Sequence, residues 1–351
     1  MNLTGFSELT NREQEVLRHI IQNFIVTASP VASKTLVERY RLNISSATVR
    51  NVMNSLESKG LLDHPHTSSG RIPTEQGYRI YVNSLMHVSE LSREEKQILD
   101  TIQSFLTNDM DDAVQSAARI LARLANLLAV VIAPKLRHGV FRKIELVSIS
   151  SNRILVVLSI ESGIIKTLSV EVHTEIRQNE LERVARFLNE RLHGYKLSEI
   201  TRKIDDMLAD FEEDDYSGLI RVFIDSADTI FDDHHLRKFH FGGVEYMALQ
   251  PEFTDLGNYK GIVELLENED MIIHLFDEKE QNAGSKDVQI KIGKENKIQQ
   301  IEQCSVVSAN YHYGGIQGTI GLVGPTRMNY SRMVALVEQL ANRFNLYNPG
   351  A

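Results

Sequence analysis

The strongest constraint on the fold is a segment near the N-terminus, Ser45–Lys59, which predicts a helix with a marked start and end. Ser45 or Ser46 can cap the helix through its hydroxyl, and Gly60 suits the position after the helix, where φ is positive. Apolar residues recur at i, i+3, i+4 and i+7, which predicts one buried stripe: Val49, Val52, Met53 and Leu56. The helix must therefore pack this stripe on other elements and leave its opposite face exposed.

The opposite face of this helix carries no carboxylate. Its side chains are a methyl group, a guanidinium, two amides and a hydroxyl: Ala47, Arg50, Asn51, Asn54 and Ser58. These groups match the base edges of duplex DNA, because Arg pairs with guanine, Asn with adenine, and a methyl group packs on thymine. A polar face that only meets solvent is the alternative for an isolated helix.

Two helices are predicted before this one, with the spacing of a helix-turn-helix. Thr10 and Glu13 form a capping box, and paired apolar positions follow one turn apart: Val16, Leu17, Ile20, Ile21, Phe24 and Ile25. Ser29-Pro30 ends the first helix, and Ser33–Tyr40 predicts a short second one. In such a unit the third helix enters the major groove.

A run of turn-forming residues after the third helix, His64–Pro73, predicts a wing. Arg71 in this run is suited to lie along the phosphates or to enter the minor groove. Thr74 then caps a further helix. Titration of His64 and His66 near pH 6.5 could tune DNA affinity, with a simple polar turn as the alternative.

Several segments of the head share their sequence pattern with one known family. They are PVASKTL from Pro30, SSATVRN from Ser45, LESKGLL from Leu56 and PHTSSGRIPTEQGYRIYV from Pro65. A second group lies near the other end, in IGKEN from Ile292, SVVSANY from Ser305 and GTIGLVGPTRMNY from Gly318. These segments resemble the HrcA family of bacterial heat-inducible transcription repressors. The segment from Pro65 is the most specific, because other winged helices share the helix pattern, and the resemblance spans nearly the whole chain.

The resemblance implies an α+β multidomain fold. A winged helix-turn-helix would occupy residues 1–87, a GAF-like α+β body residues 88–172 and 234–351, and an inserted, mainly helical dimerisation domain residues 173–233. It further implies a homodimer that represses chaperone operons by binding an inverted-repeat operator of the CIRCE type, and that the GroE-type chaperonin keeps active. DNA contacts are then expected from Ser45, Ser46, Ala47, Thr48, Arg50, Asn51, Asn54, Lys34, His66 and Arg71.

Charge is distributed unevenly along the chain. Residues 1–83 hold nine Lys+Arg and seven Asp+Glu, so this segment carries +2 of a total of −9 and the remainder carries −11. An acidic body weakens binding to a polyphosphate. Affinity is therefore expected to come from two heads acting together and from base contacts.

Beyond the head, β-branched runs predict three strands that begin an α+β sheet domain, over residues 141–150, 154–160 and 163–172. Helical patterns dominate residues 173–233 and suggest self-association, with a lid packed on its own sheet as the alternative. Strands are predicted again over residues 271–276, 288–292, 305–311 and 318–323, and a closing helix over residues 331–344.

Nothing in the sequence supports catalysis, a cofactor or a metal. Glycines at 315, 318, 321 and 324 match no phosphate-loop spacing, and strand bulges or close backbone approaches are expected there. The cluster Asp232–His235, with His240 beyond it, suggests a metal site only weakly, and a solvated turn is expected. Cys304 has no basic neighbour, so packing at a strand start is expected rather than redox sensing.

A cytoplasmic protein without a membrane span is expected. The first residues lack a signal-peptide pattern, no apolar stretch reaches spanning length, and a single cysteine suits a reducing compartment. Two rivals to the repressor remain. One is a winged-helix regulator with a small-molecule pocket in the GAF-like body, and the other is an enzyme with an incidental helix-turn-helix.

Overall fold

The computed structural model of the chain describes residues 9–65, 70–106, 110–172, 177–212, 218–231, 239–276 and 288–347. Within them the chain forms a helical head with a short hairpin, a body built on a five-stranded sheet, and a separate unit with a three-stranded sheet. The separate unit is inserted between the two parts of the body.

The head follows the predicted order of helices. Its first three helices are α1 (Asn11–Thr27), α2 (Ser33–Tyr40) and α3 (Ser46–Ser58). They pack through side chains that are fully buried: Leu17, Ile20, Leu36, Val49 and Leu56. The predicted capping box is present, because Thr10 Oγ1 accepts from the backbone N–H of Glu13 and the Glu13 carboxylate accepts from the backbone N–H of Thr10.

The wing is a minimal hairpin. Its strands β1 (Leu62–Asp63) and β2 (Ile72–Pro73) pair antiparallel, and Arg71 extends the pairing to Val31 through two backbone hydrogen bonds of 2.9 and 3.0 Å. A Cβ at Gly70 would lie 2.5 Å from the carbonyl carbon of Val31. This position therefore requires glycine, since any side chain would push the wing off the start of α2.

The head ends in α4 (Glu75–Ile80), which continues into a π-helical turn over Tyr81–Leu85. The segment between the head and the body, residues 88–92, is irregular backbone. It is also attached to the body, because the Ser89 and Ser331 hydroxyls lie 2.6 Å apart and the Ser89 N–H donates to the Ser331 carbonyl over 3.3 Å.

The body begins with α5 (Arg93–Asp100), α6 (Ile102–Leu106), α7 (Met110–Ala125) and the strand β3 (Leu128–Ile132). The chain then leaves the body. It builds β4 (Phe141–Ser150), β5 (Arg153–Ile160) and β6 (Ile165–Glu171), followed by α8 (Gln178–Leu192), α9 (Leu197–Glu212), α10 (Leu219–Asp225) and α11 (Ala227–Phe231).

The three strands β4 to β6 were predicted to start the body sheet, and the structure corrects this assignment. They pair only with one another, in the order β4, β5, β6. Their alternate residues, such as Ile144 and Val156, are fully buried in a core shared with Leu181 and Leu188 of α8. The separate unit therefore begins near Phe141 rather than at residue 173, because these strands bury one face on the helices that follow them.

The second part of the body completes its sheet and helices. It contains β7 (Phe239–Gly242), α12 (Val244–Ala248), α13 (Leu256–Glu267), α14 (Glu269–Leu275), β8 (Val288–Ile292), β9 (Cys304–Tyr313), β10 (Ile316–Pro325) and α15 (Tyr330–Asn345). The sheet is antiparallel throughout, in the order β7, β3, β10, β9, β8.

Helices cover both faces of this sheet. Successive residues of a strand point to opposite sides. Accordingly, Ala129 and Val131 join the core formed with α7 and α15, whereas Leu128 and Val130 join a second core with α13 and α14. The body is thus a three-layer α/β/α arrangement.

The strand predicted over residues 271–276 is wrong, because this segment forms α14. Asn268 caps the helix by accepting from the backbone N–H of Met271. Ile272 and Leu275 are buried at a spacing of three residues, which suits one helix face. A short apolar run fits either structure, and here the capping residue decides.

Candidate DNA-binding surface

Helix α3 presents the predicted polar face to solvent. Its N-cap is Ser45, whose hydroxyl accepts from the backbone N–H of Thr48 over 3.1 Å. At the other end Gly60 has φ +72°, as expected after a helix. Three residues of the apolar stripe, Val49, Met53 and Leu56, are buried, and Val52 is half-buried against the same core. The positions predicted to contact DNA lie outside it, with Ser45, Ser46, Ala47, Arg50, Asn51 and Asn54 exposed and Thr48 half-buried.

Two of these side chains are available to a ligand. In the part of the chain that the structure describes, neither the Arg50 guanidinium nor the Asn51 amide has a hydrogen-bond or ion-pair partner. They lie one residue apart in the first half of α3, near the positive end of the helix dipole. A guanidinium and an amide placed this way can approach a polyanion without first breaking an internal contact.

Asn54 differs, because the structure brings it together with the wing. Its Oδ1 accepts from Arg71 Nη2 over 3.0 Å. The same Nη2 lies 2.8 Å from Glu57 Oε2, one turn further along α3. Arg71 is therefore held against α3 rather than extended into solvent, and its side chain is only 19% exposed.

The other residues predicted to contact DNA differ in their surroundings. Lys34 lies on α2 with its ammonium 3.8 Å from the Glu38 carboxylate, and both side chains are well exposed, so this pair can open at little cost. His66 lies outside the residues that the structure describes. His64, which sequence reasoning considered only as a titrating group, has its Nδ1 2.5 Å from Glu57 Oε1.

Glu13 supports α3 from α1, a role that its capping pattern did not reveal. Its carboxylate accepts from Ser55 Oγ over 2.7 Å and from Lys59 Nζ over 2.9 Å, in addition to the cap at Thr10. Burial alone would raise the pKa of Glu13, but these hydrogen bonds, chiefly the one from Lys59, lower it to about 2. A carboxylate that is charged at neutral pH thus joins the start of α1 to the end of α3.

Two arginines join the head to the body. Arg79 of α4 forms an ion pair with Glu295 and donates to the Ile290 carbonyl over 2.8 Å. In the opposite direction, Arg327 follows β10 and donates to the carbonyl of Ile25 over 3.2 Å. Helix α1 has no basic residue in its own last turn, so Arg327 supplies the cation at its negative end. Sequence reasoning missed both arginines, because neither contact has a local pattern.

The body lacks the arrangement of a phosphate loop. Gly318 and Gly321 lie inside β10, where a Cβ would meet the Tyr311 ring at 2.5 Å and the Phe276 ring at 2.2 Å. The expected bulges or close backbone approaches are not what the structure shows at these two positions: β10 pairs with β9 without a register shift, and aromatic side chains fill the space beside both glycines.

The remaining candidate groups of the body are Cys304 and the cluster near His240. Cys304 is fully buried at the start of β9, and burial raises the pKa of its thiol to about 12. His240 lies in β7, while residues 232–235 are outside the described part. Among the described residues, no group of three or more His, Cys, Asp or Glu side chains could hold a metal ion, and no helix is long and apolar enough to cross a membrane.

Comparison with known proteins identifies the family. Residues 8–86 match the model described as winged helix-turn-helix transcription repressor, HrcA DNA-binding, and residues 111–334 match the HrcA protein C terminal domain. The chain belongs to the HrcA family. The function of that family is transcriptional repression rather than catalysis, and its winged helix is the part that binds DNA.

Individual relatives cover nearly the whole chain. The heat-inducible transcription repressor HrcA of Chlorobium phaeobacteroides (strain BS1) is 37% identical over 97% of this chain and 98% of its own length. The HrcA protein of Chlorobium chlorochromatii (strain CaD3) is 38% identical over 96% of each. A crystal structure described as a hypothetical protein at 2.2 Å resolution covers 97% of this chain and 99% of its own with a TM-score of 0.66, and at 23% identity it supports the fold alone.

Proposed function

We propose that this chain is a dimeric, heat-inducible repressor that places α3 in the major groove of each half of an inverted-repeat operator. The observation that carries the proposal is the exposed face of α3, on which Arg50 and Asn51 have no partner among the described residues, while the neighbouring Glu57 carboxylate is already paired with Arg71. Family membership supports the same function.

The residues of this surface have separate roles in the proposal. Arg50 and Asn51 read base edges, because their planar donors and acceptors match guanine and adenine in the major groove. Asn54 reads from the next turn. Backbone and phosphate contacts that set the register come from the helix start and the flanking elements: Ser45, Ser46, Ala47, Thr48, Lys34, His66 and Arg71.

Replacing Arg50 by Ala tests this assignment. We expect a loss of about 1 to 3 kcal/mol on the operator and a relaxed preference at one base pair of each half-site. The operator is obtained by selecting a bound duplex from a random-sequence library with the wild-type chain, and binding is measured by gel shift. Arg12→Ala on α1 is the matched control for loss of one exposed positive charge in the head. Equal losses on operator and random DNA would instead make Arg50 a phosphate contact.

Dimerisation belongs to the separate unit of β4 to β6 and α8 to α11. On the side of its sheet away from the helices, Val147 and Ile165 are 46% and 64% exposed. The edge of β4 is less suited to pairing, because the Asn189 amide bonds both the N–H and the carbonyl of Ile144, over 2.7 and 2.9 Å. The sheet face is therefore the better candidate for contact with a second chain.

Substitution of Ile165 by Lys tests this surface. A charge placed in an apolar contact should shift the chain toward monomer in analytical ultracentrifugation and weaken operator binding at low protein concentration. Asn179→Lys in α8, also exposed but in the helix layer on the other side of the sheet, is the control for an added charge in the same unit. Unchanged association of the Ile165 variant would place the dimer contact elsewhere.

The GroE-type chaperonin is the proposed partner that keeps the repressor active. Marginal folding would make the active fraction depend on how much free chaperonin is available, so that heat stress relieves repression. Operator binding after warming, measured with and without added chaperonin, tests this link. An active fraction that does not respond to the chaperonin would remove it from the mechanism.

A further inference from the structure

Glu57 contacts both sides of the wing, next to the two strands, from a single position on α3. Its Oε1 lies 2.5 Å from Nδ1 of His64, just after β1, and its Oε2 lies 2.8 Å from Nη2 of Arg71, just before β2. The Glu57 side chain is 26% exposed and the Arg71 side chain 19%. One carboxylate therefore holds the base of the wing against the helix that reads DNA.

Arg71 in turn restricts the orientation of the Asn54 side-chain amide. Its Nη2 also donates to Asn54 Oδ1 over 3.0 Å. Because a guanidinium can only donate, the amide must turn its oxygen toward Arg71 and leave its NH₂ group for other partners. Asn54 is thereby held in one of its two orientations, with donors free and the acceptor engaged.

The backbone of Arg71 is fixed in place by its contacts with Val31. Its N–H and carbonyl both bond to Val31, over 3.0 and 2.9 Å, and Gly70 packs directly on the same residue. Only the side chain of Arg71 could still change its conformation, and the ion pair with Glu57 restricts that change. The guanidinium consequently stands at a defined distance from α3 before DNA arrives.

We infer that Glu57 is a positioning residue for base reading. It fixes Arg71, which fixes the Asn54 amide so that its NH₂ faces the groove. Such an amide favours bases that present an acceptor in the major groove and disfavours cytosine, whose N4 group donates there. The inference rests on the proposed function, since it requires α3 to lie in the major groove.

The direction in which DNA affinity changes when Glu57 is neutralised distinguishes a positioning role from simple electrostatic repulsion. A carboxylate near DNA repels phosphates, so its neutralisation alone should strengthen binding to any duplex. Glu15→Gln on α1 makes the same change at an exposed head position. If Glu57 positions Arg71 and Asn54, Glu57→Gln should weaken operator binding although it removes the same negative charge.

The test uses the full-length dimer and the duplex selected with the wild-type chain, with each base pair of one half-site varied in turn. For Glu57→Gln we expect about 5- to 10-fold weaker operator binding, equal or tighter binding to random DNA, and a relaxed preference at the base pair that Asn54→Ala also relaxes. The double variant of Glu57 and Asn54 should bind no more weakly than Asn54→Ala alone, because both changes remove one reading contact.

Three outcomes would overturn the inference. Glu57→Gln could bind the operator as tightly as Glu15→Gln or more tightly, which would mean that Glu57 only competes with phosphates for Arg71. It could relax a base pair other than that of Asn54. It could also add its full loss to that of Asn54→Ala, which would indicate a general distortion of the head.

Two further measurements distinguish a failure of this inference from a folding defect and from a failure of the proposed function. If Glu57→Gln lowers the thermal stability of the chain, Arg71→Lys serves instead. It retains the charge beside Glu57 but replaces the guanidinium with a point donor, and it should relax the same base pair. If neither Arg50→Ala nor Asn54→Ala changes operator binding, the proposed function itself fails. A loss in those variants without one in Glu57→Gln would refute this inference alone.

Discussion

Replacement of Glu13 by Gln should loosen the joint between α1 and α3. The Glu13 carboxylate is almost fully buried and accepts from Thr10, Ser55 and Lys59. A Gln side chain keeps one acceptor oxygen but loses the charge that faces the Lys59 ammonium, and it brings an NH₂ group to a position surrounded by donors. The end of α3 should therefore come away from α1 more readily.

The pKa of Glu13 sets the size of the effect. The pKa falls from its ordinary value of 4.5 to about 2 in the folded chain. One pKa unit corresponds to about 1.36 kcal/mol, so the ionised carboxylate contributes about 3 kcal/mol at neutral pH, and we expect Glu13→Gln to cost about 2 to 3 kcal/mol. Because the pKa is lowered on folding, this contribution is complete above pH 4.5 and is lost as the pH falls toward 2.

Hydrogen exchange of the full chain, followed by mass spectrometry on peptides from α1 and α3, measures the local opening free energy. The difference in local opening free energy between wild type and Glu13→Gln should be largest at pH 7 and should decrease progressively below pH 4.5. Glu15→Gln, at an exposed position of the same helix, should change protection by less than about 0.5 kcal/mol. A gap that stays constant between pH 7 and pH 3 would refute the assigned ionisation.

Three further predictions concern packing and the attachment of the head. Gly77→Ala should lower the free energy of unfolding by about 2 kcal/mol or more, because the added Cβ would lie 2.3 Å from the Leu61 carbonyl oxygen. Arg327→Met should speed hydrogen exchange in the last turn of α1, since the Ile25 carbonyl would lose its donor. Cys304 should resist thiol reagents at pH 8 in the folded chain and react on unfolding, since burial raises the pKa of its thiol to about 12.

Each of these predictions has a control. Gly257→Ala places a Cβ no closer than 3.6 Å to its nearest neighbour outside the adjoining residues, so an equal loss there would make the Gly77 result uninformative. Lys260→Met removes an exposed charge from α13 and should leave exchange in α1 unchanged. Rapid labelling of Cys304 without loss of helical signal would show that the body opens locally.

The head was predictable from the sequence because its signals are local. Capping residues, apolar spacing and the residue after each helix lie within a few positions of the structure they determine, and α2 over Ser33–Tyr40 matches its predicted bounds. The exposed residues of α3 followed from helix periodicity alone. What periodicity could not supply is the pairing of Glu57 with Arg71, because it depends on how the wing folds back onto the helix.

The body was less predictable because its signals are shared by alternative structures. The strands β4 to β6 have the β-branched composition of any sheet, and their partners follow from tertiary packing, so their sequence did not reveal that they form a sheet of their own. For the same reason a run such as Met271–Phe276 reads as a strand when its apolar residues are counted without the cap at Asn268. Contacts across more than 200 residues, such as Arg79 with Glu295, leave no periodic trace.

Helix α1 connects α3, the proposed reading helix, to the body. At its N-terminal end Glu13 holds the last turn of α3, and at its C-terminal end the Ile25 carbonyl is held by Arg327. The Arg327 guanidinium is itself fixed by Glu252 at the edge of the body, and its side chain is only 13% exposed. Because both attachments lie on one helix, we expect a displacement of Arg327 in the body to be passed on to α3. In the proposed dimer, the folded bodies would then set the spacing of the two reading helices, and a partly unfolded body would not maintain it.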